Sequence, residues 1–321
     1  MNTINLNFKW DSLISNNEGE NKALRISDEC IPDLFLVIDD LDQRGLILYL
    51  PKELKLRTQG FDKNKLKFSY KASKDILIIQ LKDPVFKDLF DDLILSIYSK
   101  ISALTSPEDS ASLMIKIVYK WAAFFENNLK PKLNKDQVQG LFGELFYLNL
   151  IIEDSEGSNL NKILDSWRGP FGDSKDFVFD NKCVEVKSKL ASRSFIKISS
   201  EFQLDKEADK NLELFVVSLL IDIENGESVN DLFQEILEKI RIKKGNTFLF
   251  YHPLNQIVES PESLSQYNNL RFLVSITENF EVKDISFPKL SRSNIDTAIS
   301  NLRYDLEVTD LNEFLIEKKN Y

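Results

Sequence analysis

Short runs of β-favouring apolar residues dominate the first hundred positions. They predict strands at Leu34–Ile38, Gly45–Leu50, Lys65–Tyr70 and Asp75–Leu81, with turn-like Gln59-Gly60 and Ala72-Ser73 separating some of them. The pattern then changes period. From Pro84, apolar residues in FKDLFDDLILSIYSKI recur at helical spacing. Thr105-Ser106-Pro107-Glu108-Asp109 is a strong helix start. It sets the expected boundary between a β-rich N-terminal domain, 1–105, and a second domain, 106–321. The next helix is expected from Pro107 to about Asn128, and another from Lys135 to about Ile152.

That last helix is apolar nearly all round, which predicts burial. Gly140, Gly143, Glu144 and Tyr147 share one of its faces. Glycine costs helix stability, so two of them point to close approach by another backbone. Glu144 is an acid in apolar surroundings, and such a carboxylate needs a cation or donors. It reads equally as a metal-site group and as a cap or arginine partner.

Further on, Trp167-Arg168-Gly169-Pro170 reads as a turn. Asp176–Phe179 and Val184–Lys187 read as strands joined through the turn residues Asp180-Asn181. Ser194–Ser200 is expected as a strand, followed by a helix start in which Ser200 caps and Gln203 lies three residues on. Strands are expected at Leu212–Asp222, Leu270–Ile276 and Val282–Ile285, and a helix at Asn230–Ile242. Thr247–Tyr251 reads as a short buried segment, and Tyr304–Val308 as an edge strand before a last short helix. The second domain is therefore mixed α/β, with a helix feeding a hairpin-based sheet.

The hairpin carries the chemistry. Side chains alternate along a strand, so Glu185 and Lys187 share a face. An even loop sets Asp176 on that face too; an odd loop sends it to the other. Carboxylates are hard ligands for Mg²⁺, which takes one or two of them and keeps several waters. Asp176 and Glu185 are the candidate ligands, the Val186 carbonyl is a further oxygen, and Lys187 can stabilise charge on a phosphate or orient a water. The same residues also fit an ordinary solvent-facing strand, because E-x-K is common.

Composition narrows the field. The chain has 321 residues, 43% of them hydrophobic and 29% charged, as in a globular protein. No apolar run is long enough to cross a bilayer, and the start shows no basic region before an apolar core. A cytoplasmic protein without membrane contact is the expectation. Two distant cysteines and one histidine, His252, argue against a disulfide framework, a zinc site or a Ser-His-Asp triad. The net charge of −10 opposes general DNA binding. Yet Lys182, Lys187, Lys189, Arg193 and Lys197 cluster against Glu185 alone. That patch fits either a substrate surface or a solvated loop.

At these residues the sequence resembles the PD-(D/E)xK nuclease superfamily, and more closely the DUF4420 group of PD-(D/E)xK motif proteins. The resemblance rests on GLFGELFYL (140–148), W-x-GP (167–170), KDF (175–177), VEVKS (184–188) and ISSEFQL (198–204), over roughly residues 135 to 222. Lys175 stands where the motif's name has proline. The resemblance implies a restriction-endonuclease-like core, a mixed sheet flanked by helices. It implies Mg²⁺-dependent cleavage of DNA, with Mn²⁺ able to substitute. Asp176 and Glu185 would bind metal, Glu144 would support it, Lys187 would act on water or phosphate, and Gln203 would join by a hydrogen bond. It also implies a restriction or phage-defence setting, with an ATPase or methyltransferase partner; a homodimer would serve paired cuts. The alternatives are a non-catalytic DNA-binding or assembly subunit and an RNA nuclease.

Overall fold

The computed structural model of the protein describes residues 6–15, 22–39, 42–126, 130–206, 209–292 and 294–321. The first five residues of the start scanned for a signal, and the end of the expected helix at Asn128, lie outside them. The chain is mixed α/β and forms two compact units, Met1–Asn128 and Leu129–Tyr321.

The first unit opens with α1 (Leu6–Ser15), which buries Leu6, Trp10 and Leu13 along one stripe. Then come β1 (Lys22–Arg25), β2 (Leu34–Ile38), β3 (Arg44–Tyr49), β4 (Phe61–Asp62), β5 (Leu66–Lys71) and β6 (Ile76–Leu81). They form one antiparallel sheet in the order β1-β2-β3-β6-β5-β4. The four expected strands are present within a residue or so. α1, β1 and β4 add to them. α2 (Lys87–Ile101) follows a short 3-10 turn at Pro84–Phe86. α3 (Pro107–Trp121) starts where Ser106 Oγ accepts from the Asp109 amide at 3.1 Å, with Pro107 in the first turn. α3 packs on α2 and so belongs to the first unit. The division therefore falls after Asn128, whereas the helix start at residue 105 had marked it in the sequence. A strong cap begins a helix without beginning a domain.

The second unit begins with α4 (Lys135–Glu153), capped by the reciprocal pair Asn134 and Gln137. α5 (Leu160–Ser166) leads to β7 (Phe177–Val178), β8 (Lys182–Leu190), β9 (Phe195–Ile198) and β10 (Asn211–Ile221). α6 (Val229–Ile242) and α7 (Phe248–Ile257) follow, then β11 (Phe272–Glu281), β12 (Tyr304–Glu307) and β13 (Leu315–Asn320). The main sheet has the order β13-β11-β10-β8-β7. β8 and β10 are parallel, and the other pairs are antiparallel.

α4 lies on the sheet face that carries Val184 and Val186. A Cβ on Gly143 would sit 3.1 Å from Ser188 Cβ, and Ser188 Oγ donates to the Gln139 carbonyl at 2.9 Å. The paired glycines had pointed to a backbone neighbour; at Gly143 the close neighbours are instead the Ser188 and Val186 side chains. Nothing lies within 4 Å of a Cβ on Gly140. The opposite face of the sheet is covered at one end by β9 and β12, through a core of Cys183, Ile196, Ile198, Leu214, Val216 and Leu306.

Several expectations change here. β11 runs on to Glu281, so no separate strand forms at Val282–Ile285; Val282 is buried and Ile285 fully exposed. Residues 201–204 are turns rather than a helix. Thr247–Tyr251 is the start of α7. β12 pairs with β9 in a separate small sheet, and after it comes a 3-10 turn at Val308–Phe314 and then β13.

The two glycines should respond oppositely to substitution. Gly140→Ala should stabilise the protein by up to about 1 kcal/mol through helix propensity. Gly143→Leu should destabilise it by about 1–3 kcal/mol by forcing α4 off β8. Urea unfolding of both variants checks this.

Candidate active site

The hairpin has a two-residue loop. The Phe179 amide donates to the Lys182 carbonyl at 2.8 Å, which leaves Asp180 and Asn181 alone in the turn. Both residue types suit a tight turn. Phe177 faces Val184 and Val178 faces Cys183. Carried one step back, this register sets Asp176 opposite Glu185. The loop is even, as the same-face arrangement requires.

β7 is only two residues long, so Asp176 stands just ahead of it. There a side chain replaces the ladder: the Val186 amide donates to Asp176 Oδ2 at 2.8 Å. The Asp176 carbonyl accepts from the Arg168 amide at 2.7 Å and the Gly169 amide at 3.0 Å. Trp167 bridges to Phe177, and its indole Nε1 donates to Glu144 Oε2 at 2.7 Å. Gly169 fills the space between the acids. A Cβ there would come within 2.7 Å of Asp176 Oδ1 and 2.9 Å of Glu144 Oε2. The absence of a side chain at Gly169 is what lets both carboxylates reach one place.

Glu185 completes the group and is 1% exposed. Neither of its oxygens has a hydrogen-bond partner of good geometry. The Lys187 ammonium stands 2.7 Å from Oε1 as an ion pair. Burial pushes the Glu185 carboxyl up to about 8, Asp176 adds to the rise, and Lys187 opposes it. Burial and the Asp176 charge hold Glu144 well above the usual range, against the indole bond. Burial also raises Asp176, while Lys187 and the Val186 amide pull it down. For Lys187, burial alone would lower the ammonium, but Glu185 and Asp176 together raise it.

The structure thus brings Asp176, Glu185, Lys187 and Glu144 together. The Val186 side chain faces α4, and its amide serves Asp176. Gln203 is engaged locally: its Oε1 accepts from the Ser199 amide at 2.8 Å, which closes the turn at 199–204. Trp167 and Gly169 had read as turn residues within the family-like W-x-GP, with no site role. A tryptophan ahead of Gly-Pro and the KDF run was the available signal, since an indole donor suits a buried acid.

Among the described residues, no three His, Cys, Asp or Glu side chains converge as a ready cage for a metal ion. Mg²⁺ does not need one, because it takes few protein carboxylates and keeps its waters. The buried Glu185 oxygens, one of them paired with the Lys187 ammonium, and the neighbouring Asp176 carboxylate are hard donors. The donor set fits a hard divalent ion.

A family model described as "Putative PD-(D/E)XK family member, (DUF4420)" matches residues 6–309. The chain belongs to this family. The DUF4420 match spans most of both compact units. No curated protein and no solved structure matches the chain. In this DUF4420 chain the acid, the E-x-K pair and the helical acid occupy one site. Among the described residues, no helix is long and apolar enough to cross a membrane.

Two outcomes follow for this DUF4420 protein. Glu185 holds its proton more tightly when folded than when unfolded. Without divalent ions, stability should therefore fall as pH rises from the ordinary glutamate value, about 4.3, to about 8. Unfolding in EDTA across that window should show the slope, and Glu185→Gln should flatten it. Trp167→Phe keeps the ring packing but removes the donor to Glu144. It should cost about 1–3 kcal/mol in urea unfolding at neutral pH.

Proposed function

We propose that the protein is an Mg²⁺-dependent endonuclease that hydrolyses DNA phosphodiesters, with Mn²⁺ able to substitute, in a bacterial restriction or phage-defence setting. One observation carries the reading. The buried Glu185 carboxylate faces Asp176 and pairs with the Lys187 ammonium at 2.7 Å on the family's hairpin. The core then reads as restriction-endonuclease-like, with α4 on one face of the sheet and the site at the open edge of β8.

In this reading Asp176 and Glu185 hold the cation, and Glu144 supports it from α4. When bound, the ion polarises the phosphoryl group and acidifies a water. Lys187 lies on the same side and stabilises charge gathering on the phosphate. Trp167 and the Val186 amide each fix one carboxylate oxygen, so the acids are oriented before substrate arrives.

The strand ends supply the grip. Lys187 and Lys189 lie toward the carboxyl end of β8, beside the carboxyl end of parallel β10, where open α/β sheets take ligands. Lys189 is partly buried, and neighbouring Lys318 lowers its ammonium further, against Glu278. In this reading Lys187 and Lys189, on one face of β8, meet the phosphodiester backbone.

The net charge of −10 favours a second reading, a non-catalytic subunit of a DNA-binding assembly. One experiment separates the two. With Mg²⁺ and plasmid DNA, the purified protein should nick. Asp176→Ala and Lys187→Ala should each reduce nicking by about 10²-fold or more while the protein stays folded. Cleavage retained in both variants rejects the proposed centre. DNA binding in EDTA without any cleavage supports the subunit reading, and RNA run alongside tests substrate preference. Lys189→Ala should weaken DNA binding and reduce the salt slope by about 1.

A further inference from the structure

The turn at 199–204 and the Lys175-Asp176-Phe177 run are both family-like segments, but the centre described above draws only on the second. One buried bond joins them. Lys175 is 2% exposed, and its ammonium donates to the Phe202 carbonyl and stands 3.5 Å from Ser174 Oγ. The turn it reaches is well made: Ser200 Oγ accepts from the Phe202 amide at 3.1 Å, and Leu204 is fully buried in the core with Ile198 and Cys183.

A buried ammonium is costly, and a turn alone does not require one. Lys175 has a second set of neighbours that justifies the charge. It acts on Asp176 and Glu185, where it favours their ionised forms. Its backbone also runs directly into Asp176, whose carbonyl is held by the Arg168 and Gly169 amides. The residue is therefore fastened at its ammonium by the Phe202 carbonyl and, through the main chain of Asp176, by the Arg168 and Gly169 amides.

We propose that Lys175 is a positioning residue of the nuclease centre: it anchors the 199–204 turn to the segment that carries Asp176 ahead of β7 and so fixes that carboxylate for a phosphodiester substrate. The proposal rests on the nuclease reading. It also accounts for a lysine where the family's name has proline. A proline fixes the backbone before the aspartate through its ring. Lys175 does so through a buried side-chain anchor.

The test compares wild type with Lys175→Met, which keeps length and loses the donor and the charge. Amide exchange across 199–204 should accelerate about tenfold or more, while β10 stays protected. On plasmid DNA, kcat should fall about tenfold or more with KM within about twofold, because misplacement near the chemistry costs rate rather than binding. A folded Lys175→Met protein with unchanged exchange and kcat overturns the proposal. If Lys175→Met does not fold, amine acetylation of the wild-type protein decides. Lys175 should react about tenfold or more slowly than Lys162, whose side chain is 78% exposed. Equal rates overturn the anchor. A wild-type protein that never cleaves removes the nuclease reading, while exchange and acetylation still report on the anchor itself.

Discussion

The bond from the Val186 amide to Asp176 Oδ2 organises the site. It forms because β7 stops after two residues and leaves the next amide of β8 without a strand partner. A side chain takes the place of a backbone carbonyl and is thereby held to the strand that carries Glu185 and Lys187. The two-residue turn at Asp180-Asn181 sets the register, and a one-residue change would place Asp176 on the wrong side. Everything else in the site elaborates this pairing. Gly169 opens room for a second acid, and Trp167 orients that acid.

The electrostatics follow from the packing. Three carboxylates share a poorly hydrated place with the Lys187 ammonium, and Lys175 acts on two of them. Burial resists ionisation, and the two lysines favour it. Each charge placed there works against burial. Sites of this kind commonly trade stability for readiness to act.

The hairpin was legible in the sequence because β-strand alternation and turn chemistry are local rules. Asp176, Glu185 and Lys187 needed only their spacing and a loop parity. Glu144 was legible as an acid in an apolar helix, but its partner was not, because Trp167 lies 23 positions away. Gly140 and Gly143 looked equivalent on one helix face; only the neighbouring strand separates them. Lys175 looked like a departure from a motif, since nothing local shows that its ammonium reaches Phe202. The Gln203 side chain was read as part of a helix start and instead closes a turn, because an Asn- or Gln-type oxygen serves both. The boundary after Asn128 depends on α3 packing against α2, which no helix-start signal encodes.

The shortness of β7 has one more consequence. Beyond Glu185, the outer side of β8 has no strand neighbour among the described residues. A bare strand margin invites pairing with another copy and then aggregation. Here Asp176 occupies the first free amide, and Lys187 and Lys189 follow along the same strand. Charged side chains in that position discourage intermolecular sheet growth. The charges that line this margin thus also oppose its pairing with a second strand.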